Sequence, residues 1–443
     1  MKKRAVFCFL LLGFACPEEP FSPVIFKRVH AIPALDFLNS IGVNSAVSRR
    51  GETLEQTIAA IRFTGIRWIR SGYEAGSAMD DLYTLHRETG AKFSYGLLSG
   101  GTDIGRLLRD GRRLDSAGAL LAFEGPNEPN NWGLNYQQKK GGEKGSWLAV
   151  AMLQRDLYKA VKSDLQLRHY PVWSLSENGA QTDNLGLQFL RIPEHAGTLM
   201  PAGTVYADFA NAHNYFRHPS HPGLYDNQTW NAADPGENCK VDGLYGNYGK
   251  TWSGKFPGYD EAALKKLPRV TTETGTTIGD DLNEEQHGKM ILNMYLSQFA
   301  RGWTYTALYL LRDRTDEAGN QRFGLYAPDH TPRKAAHYLH NLTRILSDKG
   351  NHRKMQGEMS YALSPKPETV HDLMLRKSDG SYWLVLWNER VKGSDTVHFA
   401  VDRSGSRLAV FDPTVSAKAL KTIKGAVLRL SLSDHPVIIR ITP

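Results

Sequence analysis

Two glutamates stand where predicted strands of a sheet end. Glu128 follows an apolar run in "LLAFEGPNEPN", and Glu273 lies in "RVTTETG". Gly125 and Pro126 break the backbone between the apolar run and Glu128, so the strand stops there. Active sites lie at the rims of such sheets. A pair of carboxyl groups at one rim can combine acid/base chemistry with nucleophilic attack.

Cleavage of a glycosidic bond is the chemistry that such a pair suits. The neutral carboxyl group protonates the leaving oxygen, and the ionised one attacks the anomeric carbon. This double displacement retains the anomeric configuration and needs the two carboxyl groups about 5 to 5.5 Å apart. We therefore expect Glu128 and Glu273 to meet across one sugar-sized gap.

The neighbouring residues support this division of roles. We expect Asn127 to donate to the substrate 2-hydroxyl, and Arg70 to keep Glu273 ionised through its opposite charge. Tyr215 is expected to donate a hydrogen bond to Glu273. His213 lies two positions before Tyr215, on the same side of the chain, and two interpretations are open for it, a site residue or a structural histidine.

Further candidates line the same rim. Glu177 is a candidate sugar contact, and Glu124 is expected inside or beneath its strand end. Trp173 is either barrel core or a subsite wall. Tyr309 and Arg312 are placed near the floor of the cleaved-sugar position, with core packing as the alternative for Tyr309.

The elements that position these residues alternate between short β-rich runs and amphipathic helical patterns over residues 36–350. Helices are predicted from Thr53 onward and at 147–163, 283–300 and 332–346. Eight strands of this kind predict an α/β fold, a (β/α)8 TIM barrel. The strands are expected at 36–43, 65–72, 92–100, 119–125, 170–177, 206–216, 269–275 and 304–311.

The remainder of the chain, residues 351–443, changes to a period of two. Leu428, Leu430 and Leu432 alternate with polar residues, and only Ile438 interrupts the same pattern near the end. This predicts a C-terminal antiparallel β-sandwich domain. The N-terminal segment 16–35 is expected to add a strand to it.

A long connection, residues 217–268, separates the sixth and seventh predicted strands. It far exceeds the usual loop of about 2 to 6 residues and carries seven aromatic residues among polar ones, Trp252 included. Two interpretations have equal weight: sugar-stacking rings, or a miniature core of the insert. We expect two or three rings to face substrate.

A family resemblance joins the three rim motifs. "GPNEPN", "AHNYF" and "TTETG" together resemble clan A of the glycoside hydrolases, and "NEPN" is similar to family 39 in particular. The resemblance spans about residues 36 to 346 and implies a (β/α)8 barrel, often with a β-sandwich. It also implies that Glu128, preceded by Asn127, is the general acid/base and that Glu273 is the nucleophile.

Composition narrows the class of protein. The 443 residues include three cysteines, which argues against a disulfide framework, and no metal or other cofactor is predicted. The net charge of +8 has two interpretations, binding of an acidic polymer or a solvated basic surface. The Lys and Arg residues are scattered along the chain, which argues against a nucleic-acid-binding protein. Residues 1–15 are typical of a signal peptide, so we expect export to the periplasm or beyond, with Cys16 a candidate lipid anchor and no transmembrane segment.

Several functions are compatible with this sequence. The first is a secreted retaining glycoside hydrolase, endo-acting on a bacterial exopolysaccharide. An exo-acting, β-xylosidase-like glycosidase is the substrate-level alternative, and a transglycosylase shares the same covalent intermediate. A non-catalytic carbohydrate-binding protein is the alternative from another class.

Overall fold

The computed structural model describes residues 25–143, 145–176, 190–215, 266–280, 282–350, 357–367, 369–388, 393–402 and 405–442. The predicted signal peptide, Cys16, Glu177 and nearly all of the aromatic insert with Trp252 lie outside these residues.

Strands dominate the described part of the chain. In chain order they are β1 (Lys27–His30), β2 (Ile32–Pro33), β3 (Ile41–Asn44), β4 (Trp68–Gly72), β5 (Lys92–Gly96), β6 (Leu120–Glu124), β7 (Leu134–Tyr136), β8 (Lys139–Gly141), β9 (Val172–Trp173), β10 (Ala210–His213), β11 (Arg269–Thr274), β12 (Trp303–Leu308), β13 (Glu358–Ser364), β14 (Val370–Arg376), β15 (Tyr382–Asn388), β16 (Asp395–Val401), β17 (Arg407–Phe411), β18 (Lys421–Lys424), β19 (Val427–Leu432) and β20 (Val437–Thr442).

Eight parallel strands form the barrel. Around the barrel, neighbouring strands follow the order β10, β11, β12, β3, β4, β5, β6 and β9. A parallel bridge between Trp173 and Phe209 closes the ring between the fifth and sixth strands. The predicted (β/α)8 fold is confirmed, and all eight strands direct their carboxyl ends to one mouth.

Seven described α-helices accompany the barrel strands. They are α1 (Ala34–Ser40), α2 (Leu54–Thr64), α3 (Met79–Thr89), α4 (Ile104–Ser116), α5 (Leu148–Ser163), α6 (Glu284–Ala300) and α7 (Lys334–Leu346). Of these, α2, α5, α6 and α7 lie where the sequence predicts helices. The Thr53 side chain accepts a hydrogen bond from the Gln56 backbone N–H and so caps α2. Along α5, Val150, Leu153 and Leu157 are buried on one face.

The first predicted strand is wrong over its first five residues. Residues 36–40 belong to α1, and the strand begins only at Ile41. Ala34, Phe37 and Leu38 are buried on one side of α1 at helical spacing. A short apolar run cannot by itself distinguish a buried helix from a strand.

Two sheets form the β-sandwich, and their strands pair antiparallel except for β2 and β14, which pair in parallel. Their strand orders are β1-β13-β16-β19 and β18-β17-β20-β15-β14-β2. β1 pairs with β13, and β2 pairs with β14, so the chain before the barrel contributes one edge strand to each sheet.

Ile438, which interrupts the alternation of β20, has a structural explanation. Ile439 and Ile441 pack in the core between the two sheets. Ile438 points the other way and packs, fully buried, in the same hydrophobic core as the barrel helices. The six-stranded sheet is therefore covered on both faces, which a strict polar alternation would not permit.

Candidate active site

Four barrel strands bring polar side chains to the mouth. Arg70 lies in β4, Glu124 ends β6, His213 ends β10 and Glu273 lies near the end of β11. The parallel register of β10 and β11 sets His213 opposite Glu273. These side chains meet because adjacent strands of a closed barrel end at the same rim.

The turn after β6 adds Glu128 to this group. Its φ of 41° lies in the left-handed region that residues other than glycine rarely adopt. The Asn127 N–H donates to the Leu97 carbonyl at 2.9 Å, and the Asn131 N–H donates to the Glu128 carbonyl at 2.8 Å. Such a conformation costs about 1 to 3 kcal/mol and persists because hydrogen bonds hold it on both sides.

Glu128, His213 and Glu273 surround one small gap. A carboxylate oxygen of each glutamate and a ring nitrogen of His213 all lie within 4.8 Å of one another. Both glutamate side chains are 12% exposed, so solvent and ligand can still reach them. Retaining enzymes hold their carboxyl groups about 5 to 5.5 Å apart and inverting enzymes about 6.5 to 9.5 Å. The gap here belongs to the shorter class.

Arg70 lies below the gap and contacts two acidic side chains of the site. Its Nη1 lies 2.5 Å from Glu273 Oε1, and its Nη2 lies 2.6 Å from Glu124 Oε1. Burial alone would lower the pKa of Arg70, but the charges of Glu124 and Glu273 outweigh burial and raise the pKa above its usual range. The guanidinium stays charged and holds Glu273 at the mouth, the contact expected from the sequence.

Glu124 lies beneath the gap, 1% exposed, as its position in the sequence predicts. It accepts hydrogen bonds from the Thr272 hydroxyl at 2.8 Å and from the Ser94 hydroxyl at 3.2 Å, besides those of Arg70. Glu124 therefore contacts the side chains that surround the gap from below.

His213 is a site residue by contact. Its Nδ1 lies 2.6 Å from Glu128 Oε1, and its Nε2 lies 3.0 Å from Thr272 Oγ1. Burial by itself raises the pKa of Glu128. The hydrogen bond and charge of His213, with a hydrogen bond from Asn131, more than offset this and leave the pKa below its usual value.

Aromatic rings wall the site beside Glu273. The Tyr215 hydroxyl donates to Glu273 Oε2 at 2.7 Å, as expected. Burial raises the pKa of Tyr215 well above its usual value, so this hydroxyl remains a donor. Tyr309 is half-buried, and its ring centroid lies 6.3 Å from that of Tyr215. Phe323 completes this small apolar cluster.

Two substrate-contact candidates, Trp173 and Arg312, are buried, and for Trp173 this agrees with the barrel-core alternative. Trp173 is 0% exposed and packs edge-on against Trp68 inside the barrel, because inward side chains of the strands fill the interior in layers. Arg312 is 7% exposed and donates from Nε to the Pro328 carbonyl at 2.8 Å. Its Nη1 also donates to the Arg50 carbonyl, so Arg312 connects two loops, and its role as a substrate contact stays a prediction.

Asn127 is held firmly beside the gap. Its Oδ1 accepts from Arg70 at 2.7 Å, and its Nδ2 donates to Ser99 Oγ at 3.1 Å. The second hydrogen of the amide is the one available to a substrate 2-hydroxyl, and that role stays a prediction. Glu177 and Trp252 lie outside the described residues, so their roles also stay predictions.

The sequence patterns did not predict several residues at or near the site. Thr272 contacts both His213 and Glu124, and Asn131 Nδ2 donates to Glu128 Oε2 at 2.9 Å. Trp132 follows in the same loop and is 54% exposed. Both loop residues were visible in "NEPNNWG", where an aromatic ring so close to a rim carboxyl group was the available signal.

The three groups around the gap are also of the types that bind divalent cations. One oxygen of Glu273 already accepts from the Arg70 guanidinium, and one of Glu128 is paired with His213 Nδ1. The fixed positive charge of Arg70 beside the gap disfavours a second cation there. This donor set therefore suits proton transfer better than metal binding.

No protein-family model and no curated protein matches this sequence. Solved structures do resemble it. A family 39 glycoside hydrolase from the gut symbiont Bacteroides cellulosilyticus WH2 has a TM-score of 0.57 at 15% identity, covering 92% of this chain and 82% of its own. The GH51 arabinofuranosidase from Xanthomonas axonopodis pv. citri has a TM-score of 0.56 at 13% identity, covering 94% of this chain and 100% of its own.

An endo-β-1,6-glucanase has a TM-score of 0.51 at 11% identity, covering 95% of each chain. This chain shares the fold of these enzymes. The fold that the resemblance to clan A implies is thus confirmed. Among the described residues, no helix is long and apolar enough to cross a membrane.

Proposed function

We propose that this chain is a retaining glycoside hydrolase that acts on a polysaccharide or oligosaccharide. One observation carries the proposal: carboxylate oxygens of Glu128 and Glu273 lie within 4.8 Å of each other at the mouth of the barrel. The fold shared with glycoside hydrolases supports it.

In the first step, Glu273 attacks the anomeric carbon and Glu128 protonates the glycosidic oxygen, which leaves as an alcohol. Arg70 and Tyr215 each donate to a different oxygen of Glu273, so they fix the direction of attack. Asn127 stands beside Glu128 to bind the 2-hydroxyl, a contact that strengthens as positive charge develops on the sugar.

In the second step, water enters where the leaving group was. Glu128, now ionised, takes a proton from this water as it attacks the anomeric carbon, and Glu273 is released. The two steps together retain the anomeric configuration.

The position of Trp132 supports the proposal that the leaving group is itself a sugar. The general acid stands on the leaving-group side of the scissile bond. Trp132 lies four residues after Glu128, and its backbone N–H donates to the Glu128 carbonyl at 2.8 Å. A half-exposed indole offers an apolar face for stacking on a sugar ring. This favours endo-acting cleavage within a chain, and the net charge of +8 favours an acidic exopolysaccharide. Residues 1–15, which are typical of a signal peptide, support export.

The test begins with hydrolysis of a panel of plant and bacterial polysaccharides, with product stereochemistry followed by NMR. Retention at the anomeric carbon is expected. A 2-deoxy-2-fluoro glycoside of the cleaved sugar should then label Glu273, as read by mass spectrometry of the peptide. Inversion, or a label on another residue, would contradict the mechanism.

Glu273→Gln separates the catalytic proposal from a carbohydrate-binding protein. The variant should bind the same oligosaccharides as the wild type and cleave none of them. A wild-type protein that binds glycans and breaks no glycosidic bond would establish the binding function instead.

A further inference from the structure

In the buried layer around the gap between Glu128 and Glu273, the negative and positive charges of the side chains do not balance. Glu124, Glu128 and Glu273 are three acidic side chains, and Arg70 is the basic side chain that contacts two of them. If all are ionised and His213 is neutral, three negative charges face a single positive one. Buried charge without a partner is costly, so a proton within this layer is favoured.

The hydroxyl group of Thr272 determines where that proton resides. Its oxygen lies 2.8 Å from Glu124 Oε1, 3.0 Å from His213 Nε2 and 3.2 Å from Asn211 Oδ1. A hydroxyl group has one hydrogen to donate. The carboxylate of Glu124 is the closest and strongest acceptor of the three, so the hydrogen points there.

His213 must then donate to Thr272 through Nε2. With Nε2 protonated, a neutral imidazole presents an unprotonated Nδ1 to Glu128 Oε1 at 2.6 Å. Two acceptors this close require a hydrogen between them, carried either by the carboxyl group or by a charged imidazole. In both cases, the His213–Glu128 pair holds one shared proton.

We propose that Thr272, oriented by Glu124, fixes His213 as an Nε2–H donor, so that the His213–Glu128 pair stores the proton delivered to the leaving group. This inference rests on the proposed glycosidase function. Thr272, Glu124 and His213 are positioning residues, since they act through Glu128.

The proton balance closes over a full cycle. The proton passes from His213 Nδ1 to the carboxyl group of Glu128 and on to the glycosidic oxygen, while the C–O bond breaks and Glu273 bonds to the anomeric carbon. In the second half, water attacks that carbon and its proton goes to Glu128. The proton then returns to the pair as Glu273 is released.

The tautomer can be measured without any substrate. Imidazole ¹⁵N shifts of histidine-labelled protein, assigned by subtracting the His213→Gln spectrum, should show Nε2 of His213 protonated across the neutral pH range. Thr272→Val removes the acceptor of that hydrogen, so the neutral ring should move its proton to Nδ1, facing an ionised Glu128. Thr272→Ser keeps the hydroxyl group and should keep the wild-type spectrum. An unprotonated Nε2 in the wild type, or no change in Thr272→Val, would overturn the inference.

Kinetics then test the stored proton. On an unactivated oligosaccharide, Thr272→Val should lose about 10²-fold in kcat/KM, because leaving-group protonation contributes on this order. On the 2,4-dinitrophenyl glycoside of the same sugar, which departs without protonation, the loss should be far smaller. The basic limb of the oligosaccharide profile should move to lower pH. Equal losses on both substrates would show a merely structural role.

Several charged and titratable groups surround the His213 ring and contribute to the pH profile of kcat/KM. Glu128 and Thr272 contact His213, and Glu273 Oε2 lies 3.6 Å from Nδ1. Arg70 and Tyr215 each donate a hydrogen bond to Glu273 and so affect the His213 ring indirectly. If the wild type cleaves no glycoside at all, the proposed function fails, while the ¹⁵N experiment still decides the tautomer.

Discussion

Arg70 and Glu124 form an ion pair beneath the mouth of the barrel, with side chains 3% and 1% exposed and a closest N–O distance of 2.6 Å. The same guanidinium extends to Glu273 at 2.5 Å. The position of the proposed nucleophile thus depends on a pair of side chains that lie below the reacting groups.

Removing Glu124 should destabilise the whole protein. Glu124→Ala leaves Arg70 buried without the carboxylate that both Nε and Nη2 contact, and the loss of one member of a buried pair costs about 3 to 5 kcal/mol. Urea denaturation measures the change in free energy of unfolding. Glu88→Ala is the matched control, because Glu88 pairs with Arg62 at the surface, where such a pair contributes at most about 1 kcal/mol. Equal losses in the two variants would contradict a buried, energetically important pair.

Tyr215→Phe should slow formation of the glycosyl-enzyme intermediate. The variant removes the hydrogen bond to Glu273 Oε2, and bonds to charged groups contribute about 1.5 to 3 kcal/mol, or roughly 10- to 100-fold in rate. The decrease should appear in kcat more than in KM. Tyr309→Phe is the control, since its hydroxyl group contacts Glu317 and not the nucleophile. A comparable decrease in both variants would argue that general packing is responsible.

Trp132→Ala should weaken binding on the leaving-group side. We expect KM for oligosaccharides to rise about tenfold, equivalent to about 1.4 kcal/mol, and KM for small aryl glycosides to change little. Trp132→Phe keeps an aromatic face and should recover part of the affinity. A Trp132→Ala variant with the wild-type KM on every oligosaccharide would exclude this ring from the binding site.

Stability should fall on the alkaline side through His435. Burial lowers its pKa, but hydrogen bonds and charges from Asp412 and Asp434 raise it from 6.5 to about 9. A folded-state pKa above the unfolded one contributes stability that is complete below about 6.5 and is lost as the pH rises through about 9, by at most about 3 kcal/mol.

His435→Gln tests this expectation through the free energy of unfolding measured by urea denaturation at several pH values. The variant should show a shallower alkaline decrease than the wild type. Asp434→Asn removes one of the two partners and should lie between them. Parallel curves for wild type and His435→Gln would rule out this group as the cause. Asp434 also accepts from Lys289 on α6, so the cluster joins the sandwich to the barrel.

The sequence predicted most of the barrel because each strand is a short apolar run that ends in turn residues. It failed at 36–40, where helix and strand place apolar residues equally well over a few positions, and only contact with neighbouring elements selects the helix. The same limit applies to Trp173. An aromatic residue in a barrel strand fills the interior or lines the mouth depending on its layer, and the layer is set by the register of all eight strands.

Arg312 shows the limit for charged side chains. Its position at the end of the last barrel strand suggested a substrate contact, but its direction depends on loop carbonyls that are distant in sequence. Local sequence does not contain that information.

The sequence alone placed Glu128 just after the fourth barrel strand and Glu273 near the end of the seventh, because the apolar runs, the glycine and proline breaks and the order of the strands are local properties. Tertiary structure decided how these residues are connected. The sharing of Arg70 between Glu124 and Glu273, and the chain from Thr272 through His213 to Glu128, join residues that lie 54 to 203 positions apart. Such contacts exist only after the closed barrel has brought the ends of different strands within hydrogen-bond distance.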